Sequence, residues 1–490
     1  MNRRLSFCLA LAVGTMVLVS CNENGRPTVG TPSPEEITLF SSSDTSLQQA
    51  YEWAKAQALY FAHDDSDSVG YWYEAALPNR EAFCMRDVSH QIVGAQVLGL
   101  QAHNKNMLHK FAQYISESKD WCSYWEINRY DRPAPVDYAN DKEFWYNLDA
   151  NFDVTNACLK MYEWTGDEDY LSEEVFANFY QKTFDCYVPH WQLDVEHIMI
   201  RPELLHAPEP FDRTSGFHVC RGLPSYVENF SGMTVSLDLV ASICAGFRAY
   251  SNMLELKGND AKAAEYAATA EAYRKLMENQ WWNEEKHYYN TFYTAQNVFF
   301  KGEGVPFALW YGVITDPERL KLSLTDILSQ EWNVENLSYF PSILYRYGYN
   351  EVAYDYLMQL STHARRTYPE ASYGWMEALV GGYMGLQPKA SKQTVATLLH
   401  AVGDDKAEVG NVPVWDGCLS LRHDGHRQST LLNQTGRPLT WTAKFYGHYD
   451  RAKVNGKKCP VVYCKDASGQ EITVVKVSLP DGNESTVKVL

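Results

Sequence analysis

Apolar residues recur at helical spacing from about Ser46 to Leu386. Val88, Ile92, Ala95 and Leu98 form one such stripe. Val240, Ile243, Phe247, Tyr250 and Leu254 form a second, and Tyr266, Ala270, Tyr273 and Met277 a third. Steps of three and four residues put these side chains on one helix face. The pattern predicts about twelve helices, starting near residues 47, 86, 105, 151, 172, 233, 260, 305, 316, 338, 349 and 374. Several follow one another across short turns. Glu255 to Asp260 supplies Gly258 to end one helix and Asp260 to cap the next. Thr165 to Asp169 and Tyr347 to Asn350 read the same way. Short turns between helices make antiparallel hairpins. Consecutive hairpins in this number suggest a closed ring. No strict short repeat appears, which disfavours a regular solenoid.

After Gln387 the period changes to two. Thr394 to Leu399, Cys418 to Arg422, Gln428 to Leu432, Leu439 to Tyr446 and Ile472 to Val477 read as strands. Asp416-Gly417, Asp424-Gly425, Asn455-Gly456 and Asp481-Gly482 supply hairpin turns between them. A small β-sandwich is expected, packed against the helical part. Two long stretches interrupt the helices, Asp120 to Leu148 and Val188 to Phe230. Loops of this length in a compact domain are usually functional, and these are expected to lie over one rim.

The N-terminus reads as an address. A basic start, Arg3-Arg4, precedes an apolar run from Leu5 to Val19, too short for a membrane span. Leu18-Val19-Ser20-Cys21 resembles a bacterial lipobox, with Cys21 as the lipidated residue. The expected organisation is a signal peptide over 1–20, a tether over 21–45, a helical domain over 46–388 and a β-domain over 389–490. This implies a lipid anchor in the cell envelope. No later segment is long and apolar enough to span a membrane.

The 490-residue chain has a formal net charge of −18, which argues against non-specific nucleic-acid binding. Nine cysteines remain after Cys8 and Cys21, an odd number that is no disulfide framework, although Cys459 and Cys464 could bridge locally. His190 with His197, and His423 with His426, read as exposed loop and turn residues rather than metal ligands. No glycine-rich phosphate loop, nucleophile elbow or HExxH is present. Aromatic residues make up 14% of the chain, more than a core calls for. They crowd one stretch: Trp121, Tyr124, Trp125, Tyr130, Tyr138, Phe144, Trp145 and Tyr146. That stretch is expected to line a rim over a carboxylate-bearing pocket.

Tyr71-Trp72-Tyr73-Glu74 leads through Arg80 to Met85-Arg86-Asp87-Val88-Ser89-His90. An Arg beside a carboxylate and a His can grip neighbouring sugar hydroxyls. An Asp at a helix start can equally stabilise its own N-terminus. The aromatic lead-in, the Arg86-Asp87 pair opening a helix and the count of helices resemble the six-hairpin, (α/α)6-barrel glycosidases, over about residues 46 to 386. Among these, the α-L-rhamnosidase-like, exo-acting members are the most similar. The resemblance implies a toroid, a sugar subsite at Arg86 and Asp87, mostly inverting chemistry and no cofactor or metal. It also fits the frequent β-domain companion and the lipoproteins with which Bacteroidota degrade polysaccharides.

Glycosidic cleavage needs two carboxyl groups flanking the bond. Glu228, in the loop Gly222 to Gly232, is the expected acid, and Asp149 its rival. Glu370, set by Pro369 ahead of the last helix, is the expected base. Asp149 could instead be a helix cap. His90, Trp145, Tyr146, Asp153, Asn229, Trp375 and Glu377 would shape the sugar subsite, with Glu377 able to pair with a buried Arg. Two other functions fit the residues. A polysaccharide lyase on a helical toroid would use Tyr226, His218 and Arg221 towards a uronate. A glycan-binding lipoprotein would keep the aromatics without a working carboxylate pair.

Overall fold

The computed structural model describes residues 38–228 and 232–490. The expected signal peptide, Cys21, most of the expected tether and Asn229 lie outside the described residues. Among the described residues, twelve α-helices have six or more residues: α1 Thr45–Tyr60, α2 Met85–Val97, α3 Gln101–Gln113, α4 Ala150–Thr165, α5 Glu174–Lys182, α6 Leu237–Leu256, α7 Asp260–Leu276, α8 Val305–Trp310, α9 Pro317–Leu328, α10 Val334–Arg346, α11 Asn350–Thr362 and α12 Pro369–Glu377. Each starts within five residues of the position that periodicity predicts. Their starts are chemically marked. Asp44, Ser236, Asp316 and Asn333 accept hydrogen bonds from backbone N–H groups one turn on. Gly258, at φ 73°, turns α6 back into α7 in a conformation that costs other residues more.

The even-numbered helices pack in a cyclic order. α2 meets α4 and α12, α4 meets α6, α6 meets α8, α8 meets α10, and α10 meets α12. The odd-numbered helices cover them: α1 lies on α12, α3 on α2, α7 on α6, α9 on α8 and α11 on α10, while α5 lies on α3. Burial follows this division. α2 and α6 are buried almost all round, whereas α3 and α7 keep a wet face. The α2–α12 crossing is so close that a Cβ on Gly94 would lie 2.0 Å from the Tyr373 carbonyl oxygen. Gly94→Ala is therefore expected to cost about 1–3 kcal/mol of stability, read by urea unfolding, because backbone must move to admit the methyl.

Two larger sheets follow the helices. Their strands are β1 Leu39–Ser42, β2 Gln387–Lys389, β3 Thr394–Thr397, β4 Lys406–Val414, β5 Gly417–Asp424, β6 Gln428–Gln434, β7 Leu439–Tyr446, β8 Ala452–Val454, β9 Lys457–Cys459, β10 Val462–Lys465, β11 Glu471–Leu479 and β12 Glu484–Val489. One sheet runs β1-β4-β5-β6-β12-β8-β9, the other β2-β3-β7-β11-β10. Asp416-Gly417, Asp424-Gly425 and Asn455-Gly456 turn paired strands into one another, whereas Asp481-Gly482 carries the chain from β11 in one sheet to β12 in the other and is not a hairpin turn.

Three expectations are corrected here. Residues 39–42 are a strand, not tether: Phe40 is buried and pairs with Val409, tying the chain's start into the first sheet. Cys459 and Cys464 are free thiols, because β9 and β10 belong to different sheets. His423 is fully buried, hydrogen-bonded to the Ser429 hydroxyl at 2.7 Å and the Met384 carbonyl at 3.1 Å. It joins the second part of the chain to the segment after α12 and is not an exposed turn residue.

The two long stretches are not bare loops. Ala82–Cys84 pairs with Glu126–Asn128, which pairs with Arg132–Pro133. Tyr146–Asn147 lies parallel to Arg221–Leu223, so the two stretches are joined to each other.

Candidate functional site

The site is built from the N-terminal ends of the even-numbered helices. An acidic residue stands in or just before the first turn of each. These are Asp87 on α2, Asp149 and Asp153 on α4, Asp238 on α6, Glu303 ahead of α8, Glu335 on α10 and Glu370 on α12. A helix N-terminus favours negative charge, which offsets part of the cost of burying it. Asp87, Asp149, Asp153, Asp238 and Glu370 are all buried. Among them stands the guanidinium of Arg86. Its Nε lies 3.5 Å from Asp87 Oδ1, and the group sits 5.7 Å from the Trp125 ring and 6.0 Å from the Tyr226 ring.

One cation cannot satisfy so many anions, and the carboxyls hold their protons tightly. Burial raises Asp149 to about 7; the Asp238 charge adds to this and Arg86 opposes it. Burial raises Asp238 to about 6, against hydrogen bonds from the Ser225 hydroxyl at 3.0 Å and the Tyr226 N–H at 2.9 Å. Asp153 is pushed well up by burial and by Asp149, and the Tyr311 hydroxyl donates to it. Glu370 is pushed well up by burial, then by Asp87 and Glu335. Asp87 is raised to about 6, with Arg86 and a hydrogen bond from Glu370 opposing its burial. Asp87 and Glu370 thus behave as a dyad that shares one proton.

Asp149 occupies the N-cap of α4, yet its side chain makes no cap hydrogen bond. Its Oδ1 is buried with no hydrogen-bond partner. The side chain is therefore not serving as a helix cap. Glu370 has no polar partner other than Asp87, so neither of its oxygens receives a hydrogen bond from a neutral or cationic donor. Glu228 lies in reach of Arg86, Asp87 and Asp149. The residue is exposed, but its carboxyl is shielded enough by the site wall to be raised, with Arg86 opposing.

His90 lies one turn below Arg86. Its ring meets Phe307, Trp310 and Tyr339 at 4.9–5.8 Å between centroids, neither nitrogen has a partner, and burial keeps it neutral. A narrow gap between the helices is lined by His90, Tyr339, Glu370 and Glu377. Glu377 is raised by burial, with the charges of Lys160 and Arg346 opposing. Among the described residues no group of three or more His, Cys, Asp or Glu side chains can hold a metal ion.

Several aromatic expectations are corrected. Trp375 is fully buried and gives its indole N–H to the Leu357 carbonyl at 3.0 Å, so it is core. Tyr146 is fully buried, with its hydroxyl between Ser123, Asn151 and Met85. Rings of Tyr114, Tyr124, Tyr138, Phe144, Tyr146 and Trp125 contact one another in series. The aromatic stretch is mainly a small core of its own, and Trp125 is the member that meets Arg86. Trp145 is half-buried, its N–H bonded to Asn147 at 3.1 Å. Of the lyase set, Tyr226 faces Arg86 at the site, while the other two are engaged elsewhere. His218 pairs with Glu143 at 3.1 Å, and buried Arg221 pairs with Asp120 and the His206 carbonyl. Asp238 and Glu335 went unnamed by sequence reading, although an acid in the first turn of alternate helices was there to be seen.

No protein-family model and no curated protein matches this sequence. Solved structures do resemble its fold. A GH78 family rhamnosidase of Bacillus sp. GL1 matches with TM-score 0.55 and 13% identity, over 83% of this chain and 41% of that one. An α-L-rhamnosidase from Dictyoglumus thermophilum matches with TM-score 0.57 and 11% identity, over 93% and 50%. A sialidase matches with TM-score 0.54 and 12% identity, over 92% and 43%. The chain spans about half the length of these proteins. With 44% of its residues helical and 24% in strands, it is similar in fold to rhamnosidases and related glycosidases.

Proposed function

We propose that the chain is a glycoside hydrolase on an (α/α)6 toroid followed by a β-sandwich, removing terminal sugars from a plant or microbial polysaccharide or oligosaccharide with inversion. The observation that carries this reading is the set of buried helix-start carboxyls around Arg86, three of them, Asp149, Asp153 and Glu370, with an oxygen that no donor meets. The cyclic packing order of the even-numbered helices supports the toroid.

Asp149, raised to about 7, holds a proton near neutrality and gives it to the glycosidic oxygen. The bond between that oxygen and the anomeric carbon breaks, with the electron pair leaving on the oxygen. The ionised member of the Asp87–Glu370 dyad takes a proton from water, whose oxygen attacks the anomeric carbon from the opposite face. Arg86 keeps one dyad carboxyl ionised and grips neighbouring hydroxyls. The basic role thus falls to the dyad as a unit: Glu370 keeps the shared proton, and Asp87 carries the charge that draws a proton from water. The acid role passes from Glu228 to Asp149, because an exposed carboxyl beside a cation holds its proton less firmly. Glu228, Trp145 and His90 are then substrate-side groups. No cofactor enters the scheme.

Hydrolysis followed by proton NMR on a panel of plant and microbial glycans tests the reading. The first sugar released should have the anomeric configuration opposite to that of the bond cleaved. Release with the same configuration would overturn inversion, and no release from any glycan would overturn the hydrolase. We also propose lipid anchoring through Cys21 in the cell envelope. Incorporation of labelled fatty acid should vanish on Cys21→Ser.

A further inference from the structure

Asp238 is a buried acid that the scheme above leaves unused. It stands in the first turn of α6 and is 1% exposed. Unlike Asp149, Asp153 and Glu370, it leaves neither oxygen without a donor. The Ser225 hydroxyl lies 3.2 Å from its Oδ1 and 3.0 Å from its Oδ2, and the Tyr226 N–H donates to Oδ2 at 2.9 Å. Such donors favour the ionised form, so burial lifts this carboxyl only to about 6. Near neutral pH it is an anion fixed inside the site wall.

Its donors belong to a turn that is also bonded to the approach to Asp149. The Leu148 N–H donates to the Leu223 carbonyl at 2.8 Å, and the Asn147 amide to the Ser225 carbonyl at 3.1 Å. Tyr146–Asn147 runs parallel to Arg221–Leu223 beside them. The Ser236 hydroxyl donates to the Pro224 carbonyl and accepts the Leu239 N–H at 3.0 Å, so the start of α6 holds the turn at a second point. Residues 221–226 thus form a bracket, with Asp238 and Ser236 on one side and residues 146–148 on the other. Leu148 is the residue before Asp149, and α4 and α6 are neighbours in the ring. The bracket also places the Tyr226 ring, its centroid 4.0 Å from that of Phe307 and 6.0 Å from the Arg86 guanidinium.

The groups facing Asp149 come from several elements. Arg86 on α2 favours its ionised form. Asp238 on α6 and Glu228 beyond the bracket favour the protonated form, and Asp238 weighs more than either Arg86 or Glu228. Burial pushes Asp153, one turn on in α4, towards its own protonated form. Burial likewise keeps the Tyr146 and Tyr187 hydroxyls neutral. Asp238 in turn faces Asp149 and Asp153 from α4 and the Tyr226 hydroxyl, which Glu303 faces from the approach to α8. We propose that Asp238 is a positioning residue of the hydrolase: it fixes the bracket that seats Asp149, and it is the neighbouring anion that keeps the Asp149 proton in place until the glycosidic oxygen takes it. This rests on the hydrolase reading above and names the group through which its acid is set.

The test is the pH profile of the full chain against that of Asp238→Asn. The amide has the size of the carboxyl and still accepts from the Tyr226 N–H, but it bears no charge. Asp238→Ser, smaller and neutral, is made beside it, and thermal melting identifies the variant that keeps the fold. With the anion gone, Asp149 should ionise at lower pH. Activity on a natural glycoside, which falls as Asp149 ionises, should then fall about one pH unit lower than in the native chain. The acid limb, set by the Asp87–Glu370 dyad, should stay. With a nitrophenyl glycoside, whose departure needs no proton, the alkaline limb should be absent from native chain and variant alike. An alkaline limb that stays in place in the folded variant overturns the proposal and leaves Asp149 as the acid. A uniform loss of rate at every pH, on both substrates, also overturns it, since Asp238 would then serve the fold alone. If the native chain has no alkaline limb that Asp149→Asn removes, the acid assignment falls and the role of Asp238 with it.

Discussion

Asp149→Asn is expected to lower turnover of a natural glycoside by about 10²–10⁴-fold while substrate binding persists. The amide has the size of the carboxyl but no proton to give. The loss should therefore depend on the leaving group. A nitrophenolate departs without protonation, so nitrophenyl glycosides should recover most of the rate. Glu370→Gln acts on water attack and should slow both kinds of substrate alike. Glu228→Gln should cost about tenfold or less, as expected of a contact rather than a proton donor. Steady-state kinetics on the two substrate types would separate these cases, and the leaving-group pattern appearing in Glu228→Gln instead would return the acid role to Glu228. The pH profile gives a second readout. Activity needs Asp149 protonated, so it falls as pH rises through about 7. It also needs one ionised dyad member, so it rises as pH passes about 6, the value to which Asp87 is raised. The maximum should lie between these values, and Asp149→Asn should remove the alkaline limb.

The helices were legible because their apolar stripes and caps are local signals. Turn dipeptides marked the strands nearly as well: three of the four join paired strands, and the fourth carries the chain from one sheet to the other. What was not legible depends on contacts made across the fold. Trp375 and Tyr146 sit beside catalytic candidates in sequence, yet each turns into the core to place its polar atom. Helical periodicity gives spacing but not the direction of the interior. The strand at 39–42 was hidden because its partner, β4, lies more than 350 residues away. His423 read as a turn residue for the same reason, since the groups that bury it come from β6 and from beyond α12. The carboxyl cluster falls between these extremes. Each acid could be seen singly, but only cyclic packing brings the starts of the even-numbered helices to one place, and so Asp238 and Glu335 escaped notice.

Glu370→Gln is expected to raise stability above neutral pH even as it stops catalysis. In the folded protein burial, Asp87 and Glu335 hold the Glu370 carboxyl well above its ordinary value of 4.5. Between that ordinary value and the folded one, the unfolded chain has lost this proton and the folded chain has kept it. The folded state then binds more protons, so stability falls as pH rises through the window. Asp87, Asp149 and Asp238, raised to about 6, 7 and 6, act in the same direction. The protein should accordingly melt at a higher temperature near pH 5 than near pH 8. A glutamine at position 370 removes one buried acid, and its amide can donate to Asp87, which the ionised glutamate cannot do. Arg86 retains Asp87 as its partner at 3.5 Å, so no buried cation is left alone. A gain on the order of 1–2 kcal/mol at pH 8 is expected, shrinking towards zero near pH 5, where the native carboxyl is already protonated. Calorimetry of both proteins across this range measures the difference directly. An equal loss of stability at both pH values would mean that Glu370 is a satisfied structural carboxyl, and the base assignment would lose its physical ground. A gain confined to high pH would identify the carboxyl as one that the fold holds against its own stability, as expected where an active site trades stability for chemistry.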